Sequence, residues 1–329
     1  MENKYIGHSN QFYGVEVHRL MGGKGDGMRL LEVNNGKGLQ LTISLDRCGD
    51  ISRLIYKGIN CGYMSPVGYV HPKYYKKDEF LSSFTAGFLT TCGLNNVGAP
   101  NIDNNENLPL HGTISNTPVD SYIVKETKKE IIISLKIIDE ELFSHKLVLI
   151  RNYHISLKTN SFYIEDEIIN NGSEEYPVEI LYHFNIGYPL LSETSELNIN
   201  SINVRARNDF ALKDIENRKK ITEPTKGMDE KCYFHDFEKD EGSAAIFNKK
   251  AGCGLKISFD TNNLKYFTEW KMMGERDYVL GLEPGNAHPD GRNKMRQENA
   301  LTILKPNESI KYNVNVKMFS QYKTWKKSF

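Results

Sequence analysis

A period of two, carried by segment after segment, constrains this chain more than any other feature. Gly38-Leu-Gln-Leu-Thr-Ile-Ser-Leu45 alternates apolar and polar side chains, and residues 131–137, 144–150, 161–169, 256–259 and 309–319 follow the same rule. Successive side chains of an extended strand point to opposite faces, so such runs bury one face against a core. Turn-forming clusters separate them, among them Asn34-Asn35-Gly36, Asn170-Asn171-Gly172 and Pro306-Asn307. Asn and Gly suit these positions because both tolerate positive φ. No long stretch keeps a helical apolar period, so only short helices are expected, around 73–84 and 208–218. Residues 101–107 and 222–231 read as polar loops. Many strands and few helices predict an all-β fold, a large antiparallel β-sandwich. The 329 residues suit a single domain over 1–329, with 1–37 as N-terminal strands or an extension.

Composition narrows the partners. A hydrophobic content of 39% and a charged fraction of 26% describe a globular chain with a real core. The 42 basic and 42 acidic side chains cancel, and no polybasic run exceeds short pairs such as Lys76-Lys77. Neither nucleic acid nor an anionic membrane is an expected partner. A net charge near zero removes one barrier to self-association, so a homodimer is compatible with the sequence. The N-terminus lacks an apolar segment of signal-peptide length, and no apolar run is long enough to span a membrane, which predicts a cytoplasmic protein. The five cysteines are odd in number, scattered and free of a CxxC pattern, as expected of reduced core residues. No two histidines stand at i, i+2 or i, i+4, so no metal is expected, and no P-loop, GxGxxG or GxSxG motif is present.

Four stretches could carry chemistry. Tyr278-Val-Leu-Gly-Leu-Glu283 reads as an apolar strand ending at a carboxylate, followed by a Pro284-Gly-Asn286 turn. Partial burial there would raise the pKa of Glu283 towards that of a general base; a strand-end Glu facing water is the alternative. Leu89-Thr-Thr-Cys-Gly-Leu-Asn-Asn96 offers the adjacent amides Asn95 and Asn96, which suit either a turn or a polyhydroxylated ligand. In Leu108-Pro-Leu-His-Gly112, His111 precedes a glycine that permits close approach, or is simply structural. In a strand over 176–186, Glu179, Leu181, His183 and Asn185 share one face, and a polar pair on an apolar strand needs partners or a ligand. Trp270 would stack on a sugar face beside Lys271 as a donor, or pack in the core. Arg205, Arg207 and Arg292 read as surface residues, with contact to an anionic sugar as the alternative.

These motifs, in this order, resemble the aldose 1-epimerase (galactose mutarotase-like) superfamily, and more closely a branch of it classed as a domain of unknown function. The resemblance extends from Gly38 to Phe319. It rests on Cys48-Gly-Asp-Ile-Ser-Arg53, Thr90-Thr-Cys-Gly-Leu-Asn-Asn96, Leu110-His-Gly112, Tyr182-His-Phe-Asn-Ile-Gly187, Gly281-Leu-Glu-Pro-Gly-Asn286 and Leu304-Lys-Pro-Asn-Glu308. It implies a β-sandwich with a small-molecule sugar bound in a cleft on one sheet, and no cofactor. It also implies roles. Glu283 is the base at the anomeric hydroxyl, His183 is the acid at the ring oxygen, and His111 and Asn185 are sugar ligands. The family's usual Arg is absent from the Gly-rich stretch, which leaves Arg53 as a candidate replacement. Asp236, in Phe234-His-Asp-Phe237, matches a further sugar-binding acid. Asn286 lies in the turn after Glu283, which departs from the better-known mutarotases. The activity implied is interconversion of sugar anomers by ring opening. The alternatives are a non-catalytic sugar-binding or regulatory protein on the same fold, or an isomerase or lyase acting on a modified sugar.

Overall fold

The alternation predicted from sequence builds the larger layer of the core. In the strand Glu130–Glu140, Ile131, Ile133, Leu135 and Ile137 are buried while Ile132, Ser134 and Lys136 turn outward. The computed structural model describes residues 4–238 and 240–329. Eight antiparallel strands form one sheet in the order Val119–Glu126, Glu130–Glu140, Lys146–Ser156, Ser161–Asn170, Ser309–Phe319, Cys253–Asp260, Glu241–Asn248 and Ser195–Ile199. The facing sheet runs Asn203–Ala206, Lys231–Asp236, Tyr266–Met273, Tyr278–Gly285, Tyr176–Ile186 and Thr302–Leu304, and Leu89–Leu94 also pairs with Tyr176–Ile186. A third sheet of five strands occupies residues 14–60, with position 37 in the turn between Arg29–Asn34 and Leu39–Ser44. Apolar side chains from all three meet in one cluster, as in a β-sandwich.

Turn chemistry works locally. The Asn34 side-chain oxygen accepts the Gly36 N–H at 2.9 Å, and that of Asn35 accepts the N–H groups of Lys37 and Leu39. Residues 101–107 differ from the expected loop. Asn101–Asp103 and Glu106–Leu108 form a hairpin, closed by Asn104 and Asn105 at φ 47° and 65°. Two left-handed central residues are what a tight hairpin turn requires, and asparagine supplies them. The expected helices shrink to single turns, Pro72–Tyr74 and Phe80–Ser82 in the first region, Asp209–Leu212 and Ile215–Asn217 in the second. Two unanticipated short helices, Arg292–Gln297 and Tyr322–Lys326, follow; the second buries Trp325 against Phe247. The strand carrying Glu283 does not stop there but continues to Gly285. All five cysteines are buried free thiols. No helix among the described residues is long and apolar enough to cross a membrane.

One polar seam crosses the sandwich. Arg151 donates to Asp166 at 2.9 and 2.7 Å, to Asp50 at 2.8 Å and to the Thr91 hydroxyl at 2.8 Å. The Tyr182 hydroxyl donates to Asp166 at 2.8 Å. The seam ties the N-terminal sheet, the eight-stranded sheet and two strands of the facing sheet at the residue next to His183.

Candidate active site

Strand parity and register place the central pair. Along Tyr176–Ile186, Ile180, Tyr182 and Phe184 enter the core between the sheets. His183 therefore projects from the opposite face. On the neighbouring strand Leu280 and Leu282 enter the core, and Glu283 projects with His183. Phe184 pairs with Leu282, which sets the two side chains side by side. His183 Nε2 lies 3.3 Å from Glu283 Oε1, yet that oxygen has no aligned hydrogen-bond partner in the structure. Both side chains are almost fully buried. Gly281 explains the room: a Cβ there would lie 2.2 Å from Glu283 Oε1.

The pair sits in the floor of a cavity of about 830 Å³. Trp270 flanks His183, ring centroids 5.3 Å apart, and donates its indole N–H to Glu230 at 2.7 Å. Arg207 also bonds Glu230. His111 stands on the other side, its ring 5.8 Å from that of His183. Its backbone is left-handed, φ 58°, and the next residue must be glycine, because a Cβ on Gly112 would meet the Gly93 carbonyl at 2.1 Å. The Gly98 N–H donates to His111 Nδ1 at 3.2 Å. That bond fixes the neutral tautomer with its proton on Nε2, as a donor.

Burial sets the protonation states. It pushes the Glu283 carboxyl well above its usual range, aided by the nearby Glu230 charge and opposed by Arg207. It drives His183 down to about 3, assisted by His111, and His111 down to about 4. Burial thus favours the neutral carboxyl and the neutral imidazole over an ion pair. Separated charges in a poorly solvated floor would cost more than this neutral form. The raised Glu283 pKa is the shift that partial burial of a strand-end carboxyl predicts.

The structure brings together Glu283, His183, His111 and Trp270 from the sequence reading. The others lie elsewhere. Lys271 follows Trp270 on its strand and points to the opposite face, where its ammonium donates to the Arg218 carbonyl at 2.6 Å. Asn96 is framework: its amide donates to the Pro109 carbonyl at 2.8 Å and its oxygen accepts from Asn101 and the Arg292 N–H. Asn95 is buried beside it and gives its carbonyl to Arg292. Asn185 is buried outside the cavity wall, its amide bonded to the His183 carbonyl at 2.9 Å. Arg53 and Asp236 are exposed outside the cleft, Asp236 accepting from Asn203 at 2.9 Å. Arg292 is no surface residue. It is buried and paired with Asp103 and Glu106.

Asn286 is also framework. Its oxygen accepts the Ile180 N–H at 2.7 Å, and its amide donates to the Val178 carbonyl and the Tyr312 hydroxyl. Asn286→Ala should therefore lower unfolding free energy by about 1–3 kcal/mol and leave ligand affinity unchanged. Urea denaturation alongside a binding titration checks this; weakened binding at full stability would contradict it.

Sequence reasoning missed Glu230, Phe80 and Phe84 and set Arg207 aside as surface. Phe80 and Phe84 pack with tilted rings, centroids 5.2 Å apart, and lean on His111 and His183 respectively. Their i, i+4 spacing was the available signal. Glu230 came from a loop read only as polar.

Solved structures share the fold. A "putative aldose 1-epimerase" from Klebsiella pneumoniae superposes with a TM-score of 0.88 at 24% identity, covering 97% of this chain and 88% of that one. A galactose mutarotase-like protein from Clostridium acetobutylicum gives 0.67 at 16% identity, covering 94% and 99%. Galactose 1-epimerase from Lactobacillus acidophilus gives 0.60 at 15% identity, covering 93% and 98%. No curated protein sequence matches. Galactose mutarotase-like architecture is therefore the fold of this chain. Residues 25–318 match the family described as a domain of unknown function, DUF4432, and the protein belongs to that family.

Proposed function

We propose that the protein interconverts the anomers of a reducing sugar by general acid–base ring opening at Glu283 and His183. The observation that carries this reading is the contact itself: a carboxyl and an imidazole 3.3 Å apart on a cleft floor. The ring oxygen and the anomeric oxygen of a hemiacetal are bonded to the same carbon, so neighbouring groups can serve both. One group gives a proton to the ring oxygen while the other removes the proton of the anomeric hydroxyl. The C1–O5 bond breaks and a carbonyl forms at C1. Rotation about C1–C2 then presents the other face, and ring closure reverses both transfers. Each group acts as acid in one direction and base in the other, so the reaction can begin with the proton on either. Each transfer contributes about 10²–10⁴-fold. His111, as a neutral Nε2–H donor, serves a sugar oxygen.

Anomer exchange followed by NMR across free reducing sugars tests the proposal. Acceleration by the wild type and its loss in His183→Ala is the expected result. Saturable binding without acceleration of any sugar would move the protein to a non-catalytic binding role.

The pH profile is a second check. The active pair carries one proton, and it gains a second only when His183 titrates, at about 3. It loses its proton when pH rises through the elevated Glu283 value. Activity should hold as pH rises above the His183 value and through the usual carboxylate range, and fall only once pH passes the elevated Glu283 value. A maximum confined to the carboxylate range near pH 4 would contradict this.

A further inference from the structure

The cleft is poorly matched to a bare sugar ring. Its volume of about 830 Å³ lies in the upper part of the range for drug-sized ligands. Polar groups suited to hydroxyls gather at the floor, where His111, His183 and Glu283 meet. The wall beside them is apolar. Phe80 and Phe84 form it, and Tyr63 and Leu110 pack against them. Val67 and Leu81 also line the cavity, although Leu81 is 69% exposed at its mouth. Hydroxyls pressed on this wall would lose water without gaining partners. A single polyhydroxylated ring would leave the wall wet.

The cavity's charge adds a second, independent restriction. Asp229, Glu230 and Asp277 line it, and the buried Glu283 carboxyl, held towards its neutral form, adds nothing to that charge. The cationic side chain among the described lining residues is Arg207, and Glu230 already engages its guanidinium. No lysine lines the cavity among the described residues. A phosphate or carboxylate on the sugar would enter a field of its own sign, with no free cation to receive it.

We propose that the cleft selects an uncharged reducing sugar carrying an apolar substituent. The anomeric carbon lies at Glu283 and His183, and the substituent lies on the wall formed by Phe80, Leu81 and Phe84. The inference rests on the anomer-interconverting reading for the orientation of the sugar, but the binding preference does not depend on turnover.

The test uses one ring with three kinds of substituent. D-glucose and D-galactose are compared with their 6-phosphates and with their benzyl ethers at O3, O4 or O6, all of which keep the free anomeric hydroxyl. Both anomer exchange and affinity, by calorimetric titration, are measured for each. At least one benzyl ether should exceed its parent by about tenfold in kcat/KM and in affinity. The 6-phosphates should fall below the parents. Leu81→Ser, at the exposed mouth, should reduce the benzyl advantage, taken as the ratio of each ether to its own parent sugar, by about threefold or more. Asp277→Asn should narrow the deficit of the 6-phosphates. If no sugar is exchanged but the benzyl ethers bind most tightly, the catalytic reading fails and this one stands. Benzyl ethers no better than their parents, or 6-phosphates bound most tightly, would overturn it.

Discussion

Glu283→Gln is expected to lower the rate of anomer exchange by about 10²–10⁴-fold with little change in sugar affinity. The amide fills the same space above Gly281 and can still form hydrogen bonds, but it cannot pass a proton to or from an oxygen at neutral pH. The same substitution should stabilise the fold as pH rises. A free carboxyl titrates near about 4.3, whereas burial holds the Glu283 proton to much higher pH. Between those two values the folded state binds a proton that the unfolded chain has released. Stability of the wild type therefore falls with increasing pH across that window. The amide of the variant does not titrate, so this dependence disappears with the substitution. Thermal melts of the two proteins should nearly coincide near pH 4 and separate by pH 8, with the variant melting higher. Full exchange activity in the variant would remove Glu283 from the chemistry. Coincident melts at every pH would show that its carboxyl is not held protonated.

Arg151→Ala is expected to destabilise the protein by about 3–5 kcal/mol. Its guanidinium joins Asp50, Asp166 and Thr91 with no access to water. Removing it leaves two carboxylates buried without their cation, and burial already raises the pKa of Asp50 even with Arg151 present. The cost comes from the groups left behind, so neutralising them should recover part of it. Arg151→Met combined with Asp50→Asn and Asp166→Asn should unfold at a higher urea concentration than Arg151→Ala alone. If the triple variant is no better than the single one, stranded charge is not the source of the loss.

The layered β architecture was legible because strand parity survives wherever one face is buried. Ile131 to Ile137 announce their face in the sequence. His183 and Glu283 were legible for a related reason: each interrupts an apolar strand, and parity predicts the face. Parity also separates Trp270 from Lys271, adjacent residues on one strand that cannot share a face; reading them as one subsite overlooked this. Asn96 and Asn286 show a different limit. An asparagine that braces backbone and one that binds a sugar offer the same donors and acceptors, and only the partners tell them apart. Arg292 looked like surface because its counter-charges, Asp103 and Glu106, lie far away in sequence. The hairpin at 101–108 was hidden because its Asn104-Asn105 turn resembles any polar loop.

The place of Ser309–Phe319 has a consequence for how the protein is made. This strand lies inside the eight-stranded sheet, between Ser161–Asn170 and Cys253–Asp260. Synthesis proceeds from the N-terminus, so both neighbours leave the ribosome with their facing edges unpaired and wait for the strand that joins them. Until then the nascent chain carries two open edges in its main sheet, which are templates for pairing with other chains. Chaperone demand should therefore persist until Ser309–Phe319 emerges, and the emergence of that strand, not of the cleft residues, should mark the moment at which the sandwich closes.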